Sequence, residues 1–218
     1  MNLLRTAQLL KQKKPLRVVC YGDSISEVGR SANWYGGAKS REANWGSQLQ
    51  GLLRAAYPGV DIQVLHFGIG GQNAYEGLGR LDWLAEYKPD LVLVAFGAND
   101  TGWHPIPAEA TKLALKTLAQ WTQERYGADV VLMSTGGDNP RQPNHTHVAE
   151  TVQATCEAAG EAGAGYIDIR AAILRVTEDG KRWTDYHNSP QDCHPNDTGH
   201  RFWAETVFQA LQAALTER

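Results

Sequence analysis

The stretch PDLVLVAFGAND, residues 89–100, decides how the rest of the chain is read. Pro89 closes the segment before it. An unbroken apolar run then extends from Leu91 to Phe96, and Gly97-Ala98-Asn99-Asp100 follows in small and polar residues. A run this short, rich in Val and Leu and without alternation, reads as a strand covered on both faces, here Asp90–Phe96. Working outward, Leu16–Tyr21, Asp61–Phe67, Asp129–Ser134 and Ala164–Ile169 share its character. Between them the apolar spacing turns helical. Asn44–Ala56 carries Trp45, Leu49, Leu52 and Leu53 and stops before Pro58-Gly59. Ala74–Tyr87 carries Leu78, Leu81, Leu84 and Ala85, and Ala108–Arg125 opens after Pro107 and offers Leu115, Leu118 and Trp121 to the core. Val148–Ala162 and Asn196–Leu215 complete the series. Strands alternating with helices make right-handed βαβ units, hence α/β: a three-layer α/β/α sandwich on a five-stranded parallel sheet.

Composition narrows the class. The 218 residues contain 42% hydrophobic and 21% charged side chains, ordinary for a globular protein of one domain, taken as 1–218 with 1–15 as an N-terminal extension. The longest apolar run falls far short of the ~18 residues that span a bilayer, so no membrane partner is expected. Net charge is 21 − 24 = −3, which gives no footprint for nucleic acid. Cys20, Cys156 and Cys193 are odd in number and form no CxxC pair, which fits a reducing compartment. Met1–Pro15 lacks the apolar core of a signal peptide, so a cytoplasmic location is expected, although a secreted chain relieved of its leader reads the same. A homo-oligomer is left open.

In open α/β sheets the site lies beyond the carboxyl ends of the strands. Gly22-Asp23-Ser24 follows the first strand, Gly68-Ile69-Gly70-Gly71-Gln72-Asn73 the second and Gly97-Ala98-Asn99-Asp100 the third. Asp192-Cys193-His194-Pro195 precedes the last helix. Alone, Ser24 reads as a turn or cap serine, and it is not a GxSxG elbow because Ser26 stands where glycine is required. The glycines at 68, 70 and 71 do not make a dinucleotide fingerprint, since Asn73 occupies its sixth position. Gly71 offers an unobstructed backbone N–H and Asn99 a neutral amide, the donor types an oxyanion requires, yet each alone reads as a turn residue. His194 stands at a fixed loop-to-helix junction, between Asp192 and the helix-capping Asn196, and an imidazole there is the base that a serine hydroxyl needs.

Taken in order, "YGDSIS", "FGIGGQN", "FGAND" and "DCHPNDTGH" resemble the four blocks of the SGNH hydrolases, also called the GDSL esterase/lipase family, over nearly the whole chain. The resemblance implies a flavodoxin-like sheet and acyl transfer without a cofactor. It makes Ser24 the nucleophile, His194 the general base, and Ser24, Gly71 and Asn99 the oxyanion donors. Two departures stand out. The family places its aspartate three residues before the histidine, where this chain has Gln191; Asp192 lies two before, and either it, a backbone carbonyl or Asp185 orients the ring. His66 replaces the usual Asn before the glycine block and is given no role.

The loop Ile25–Ala43 contains Trp34, Trp103 follows Asn99, and Trp183 precedes His194; the three rings are candidate platforms for a small-molecule or carbohydrate ester. The preferred reading is a serine esterase for short acyl groups, including O-acetyl groups on carbohydrates. The alternatives are an idle carbohydrate-binding module on the same fold, or a longer-chain lipase or thioesterase. Histidines 187, 194 and 200 with Cys193, and the pair His145 and His147, match no zinc spacing, and no metal is expected.

Overall fold

Leu16–Gly22 (β1), Ile62–Gly68 (β2), Leu91–Ala95 (β3), Asp129–Met133 (β4) and Gly165–Ile167 (β5) form one sheet in the computed structural model, which describes residues 1–30, 33–141, 143–178 and 182–216. Every neighbouring pair is parallel, in the order β2-β1-β3-β4-β5. The helices are α1 (Leu4–Lys11), α2 (Trp45–Ala56), α3 (Ala74–Gly79), α4 (Ala98–Thr101), α5 (Ala108–Tyr126), α6 (Val148–Ala162), α7 (Ile169–Glu178) and α8 (Asp197–Thr216). None among the described residues is long and apolar enough to cross a membrane.

Strand side chains alternate between two apolar faces, which is why the sequence shows runs rather than alternation. Val18, Cys20, Leu91, Leu93, Val131 and Met133 pack with Trp45, Leu49 and Leu53 of α2 and Trp203, Val207 and Leu211 of α8. Val19, Tyr21, Val92, Val94, Val130 and Leu132 pack on the other side with Leu115 and Leu118 of α5 and Ala158 and Ala159 of α6. A fully buried Leu or Val of this kind stabilises by about 1.5–3 kcal/mol. The register matters most for function. Gly22 pairs with Gly68 on one side and Ala95 on the other, so β1, β2 and β3 end abreast. The order reverses between β1 and β3, the switch point at which such sheets bind ligands.

The structure departs from the sequence expectations at four places. The helix expected over Ala74–Tyr87 divides at Arg80 into α3 and a 3₁₀ segment, Leu81–Tyr87. Arg80 turns inward, lies over the rings of Tyr21 and Phe67, and donates to the Phe67 and Gly22 carbonyls and to Gln72 Oε1. Ile169, expected to end a strand, instead opens α7, whose first turn is capped by Asp168 through the Ala171 N–H. The first fifteen residues include α1, which buries Leu10 in the core beside the preceding Leu3 and is pinned by Arg5 on Asp90 and Thr6 on Asp129. Trp121, expected inside, is 40% exposed, and the Arg125 guanidinium covers its ring. Replacing Arg80 with Met strips the Gly22 and Phe67 carbonyls of a donor and lowers unfolding free energy by about 2–4 kcal/mol. A urea midpoint equal to wild type refutes that account.

Candidate active site

Beyond Gly22 the chain reverses within two residues. The buried Asp23 carboxylate accepts the Ile25 N–H at 3.0 Å, the Asp23 carbonyl accepts the Ser26 N–H, and the Ser24 carbonyl accepts the Glu27 N–H. Burial pushes the Asp23 carboxyl up to about 7, despite that backbone donor. Ser24 is left at the apex of the turn, over the end of the sheet.

The loop after β2 lies against this turn so closely that a Cβ at Gly68 would stand 2.3 Å from the Glu27 nitrogen. Glu27, itself buried, accepts the Gly70 N–H and fixes the following residue, Gly71, whose φ of +80° favours glycine. Among the described residues no carbonyl accepts the Ser24 or Gly71 N–H. After β3, Asn99 lies in α4 and spends one amide hydrogen on the Gln72 carbonyl at 2.9 Å, keeping a second in hand. Asp100 beside it accepts from Ala74 N–H and Thr111 Oγ1, tying α4 to α3 and α5.

His194 completes the group. Its Nε2 lies 2.8 Å from Ser24 Oγ, and its Nδ1 lies 2.6 Å from Asp192 Oδ1. The same Asp192 oxygen accepts the His194 backbone N–H at 2.9 Å, an Asx turn that lets an acid two residues upstream reach the ring. Gln191 is exposed, and Asp185 is turned away to accept the Arg182 N–H. Asn196 anchors the junction: its amide donates to the carbonyls of Thr184, Asp185 and His187, and its Oδ1 accepts the Gly199 N–H at the start of α8. Burial alone would lower the His194 pKa. The Asp192 carboxylate on Nδ1, with the Cys193 sulfur beside it, outweighs burial and holds it above the ordinary imidazole value. Burial likewise opposes ionisation of Asp192, but its bonds from the His194 ring and N–H keep its carboxyl below the ordinary range.

Ser24, Gly71, Asn99, His194, Trp34 and Trp103 all line one cavity of about 570 Å³. Trp34 donates its Nε1–H to the Ser24 carbonyl at 2.9 Å and meets the His194 ring edge-on, with centroids 5.0 Å apart. Its loop, 25–43, is described except for residues 31 and 32. Trp183 does not join that lining. It is buried, stacked on His187 with centroids 3.8 Å apart, and donates its Nε1–H to the Asp192 carbonyl, so it supports the loop rather than facing the cavity.

Sequence reasoning passed over three contributors. Glu27 and Arg80 brace the loops from beneath, and His145 forms part of the cavity wall. The Asp138 carboxylate accepts the Asn144 and His145 N–H groups, and the His145 ring reaches Thr101 Oγ1 at 3.3 Å. Position after β4 was the available signal. His147 instead lies 3.9 Å from Glu150 on the surface, so the two histidines do not act as a pair. His200 is occupied at both ring nitrogens, by the Trp45 N–H and the Gly36 carbonyl. His66 contacts Ser47 Oγ, and burial pushes it down to about 4, which leaves it neutral.

An arylesterase of Vibrio mimicus is 34% identical over 93 residues, which make up 42% of this chain and 44% of that protein, so the match spans less than half of the relative. A two-domain esterase active on acetylated mannans, co-crystallised with mannopentaose, superposes with a TM-score of 0.78 at 18% identity, over 98% of this chain and 54% of that one. An acetylxylan esterase from Geobacillus stearothermophilus gives 0.68 at 23% identity, over 91% and 93% of the two chains. At such identities the likeness speaks for the fold. Residues 20–202, by contrast, match the GDSL-like lipase/acylhydrolase family at the level of sequence and include all four motif blocks. The chain belongs to that family.

Proposed function

We propose that the protein is a serine esterase that hydrolyses short-chain carboxylic esters, O-acetyl groups on carbohydrates among them. The observation that carries the reading is the relay Ser24 Oγ–His194 Nε2 at 2.8 Å and His194 Nδ1–Asp192 Oδ1 at 2.6 Å, opening into the cavity. A hydroxyl becomes nucleophilic only when a base takes its proton, and the imidazole stands within reach of that proton. Ser24 Oγ attacks the ester carbonyl while His194 Nε2 accepts the hydroxyl proton. Charge developing on the carbonyl oxygen is met by the Ser24 and Gly71 N–H groups and the second Asn99 amide hydrogen. His194 then protonates the leaving alcohol, and a water activated by the same ring releases the acid. Asp192 keeps the proton of the neutral ring on Nδ1, so that the Nε2 lone pair faces the serine.

Support for the substrate class comes from the exposed Trp103 and the partly buried Trp34, flat rings that line the same cavity as the reacting groups, and from relatives named for acetylated polysaccharides. A panel of nitrophenyl esters is the test. Acetyl to butyryl esters are expected to give the highest kcat/KM, and a preference for octanoyl or longer refutes the short-acyl reading. An organophosphonate should label Ser24; failure to label an active preparation refutes the nucleophile, and carbohydrate binding without any turnover favours an idle binding module.

A further inference from the structure

We infer that Asp192, Cys193 and His194 form a binding site for a borderline-soft divalent cation such as Zn²⁺, and that a cation bound there switches the esterase off. The effect on rate rests on the proposed role of His194, whereas binding does not. Three consecutive residues bring a carboxylate oxygen, a thiol sulfur and an imidazole nitrogen to within 4.8 Å of one another, the one such group among the described residues. Nδ1 lies 2.6 Å from Asp192 Oδ1 and 4.0 Å from Cys193 Sγ. Tetrahedral zinc with bonds of about 2.0–2.3 Å sets its ligand atoms about 3.3–3.7 Å apart. The oxygen must therefore give up its short bond to the ring and retreat by about 0.7 Å or more, and the sulfur must approach by about 0.3–0.7 Å, movements that rotation of the two side chains can supply. All three residues are half-buried, so each is in part open to solvent, the source of a fourth ligand. Sulfur, nitrogen and oxygen together are a donor set that zinc and cobalt accept and that calcium or magnesium does not favour.

The consequence follows from the tautomer. With Asp192 on Nδ1, the neutral ring carries its proton there, and Nε2 offers a lone pair to Ser24. A cation takes the Nδ1 lone pair and displaces that proton. The neutral ring then carries hydrogen on Nε2, which points at Ser24 as a donor and cannot accept. Cys193 binds as thiolate, so one thiol proton goes to solvent per cation bound, while the ring exchanges one proton for another. This is the reverse of metal dependence: a chelator restores activity.

Cobalt tests binding without reference to turnover. Titrating the full-length protein with Co²⁺ is expected to raise a thiolate-to-cobalt charge-transfer band in the near ultraviolet at one equivalent. Affinity should fall about tenfold or more in Cys193→Ala and in Asp192→Asn. Cys156→Ser, which removes the exposed thiol, should leave the titration unchanged. In parallel, Zn²⁺ should slow aryl acetate hydrolysis reversibly to EDTA, with Cys193→Ala at least about tenfold less sensitive. No band, or an equal band in Cys193→Ala, overturns the site. A filled site that leaves the rate unchanged overturns the switch. Should Cys193→Ala not fold, the Asp192→Asn titration makes the same comparison. A wild-type protein without esterase activity would instead sink the proposed function, and the cobalt band would still decide the site.

Discussion

Ser24→Ala lowers kcat for an aryl acetate by about 10⁴-fold or more while leaving KM within a few-fold, and His194→Ala does nearly the same. In the proposed mechanism the two residues act as one device, so the double variant should be scarcely worse than either single one. An alanine at 24 leaves the backbone N–H in place, together with the Gly71 N–H and the Asn99 side-chain amide. The residual rate is then the part supplied by binding and by the donors alone, about 10³-fold over water. The turn itself should persist, because it is held by Asp23 on the Ile25 N–H and by the Ser24 carbonyl, neither of which involves the hydroxyl. Burst and steady-state kinetics on matched, folded preparations decide the matter. Activity within about tenfold of wild type in either single variant, or losses that multiply in the double, refutes the relay.

Asp192→Asn carries the second largest effect: kcat falls by about 10³–10⁴ with KM little changed. An amide on Nδ1 can donate as well as accept, so the ring is free to adopt the tautomer that turns its hydrogen toward Ser24. The pH profile separates this from a merely structural loss. As the proposed base, His194 works only when neutral, so activity should be absent below its folded pKa and rise as pH passes through it. Asp192 and Cys193 hold that value above the ordinary ~6.5, so the wild-type acidic limb should have its midpoint on the alkaline side of 6.5. Removing the carboxylate leaves burial, which lowers the value, opposed by Cys193 alone, and the midpoint should move to lower pH. A midpoint that stays put, or near-normal turnover, refutes Asp192 as the orienting acid.

How much of this was legible in the sequence can be followed residue by residue. The strands were readable because burial on both faces leaves uninterrupted runs such as Leu91 to Phe96, and the small, polar loops after them marked where a site could lie, whereas Ser24, Gly71 and Asn99 were singled out only by the family resemblance. Where a tertiary demand overrode local spacing, the sequence was silent. The leucines on both sides of Arg80 keep helical period, yet the guanidinium is drawn inward to carbonyls more than ten residues away in the chain, and the helix divides there. Trp183 looked like a platform by its distance from His194, but packing on His187 gave it a different task. Asp192 fell outside the familiar spacing because the Asx turn, which no spacing rule contains, closes the gap.

Gly22, Gly68 and Ala95 stand in one hydrogen-bonded row, and this makes the sheet the ruler of the chemistry. The three donors assigned to the oxyanion are launched from three adjacent strands, so their separation is set by interstrand spacings of about 4.8 Å rather than by loop flexibility. A sliding of β3 along β1 by a fraction of a residue would open the hole while leaving every reacting side chain intact. Loops downstream of that row, the long one around Trp34 included, can change length and composition to meet different alcohols without recalibrating the distance at which charge is caught. Evolution or design seeking a new substrate can therefore work on the rim, whereas any attempt on catalytic rate must respect the phase of the ladder.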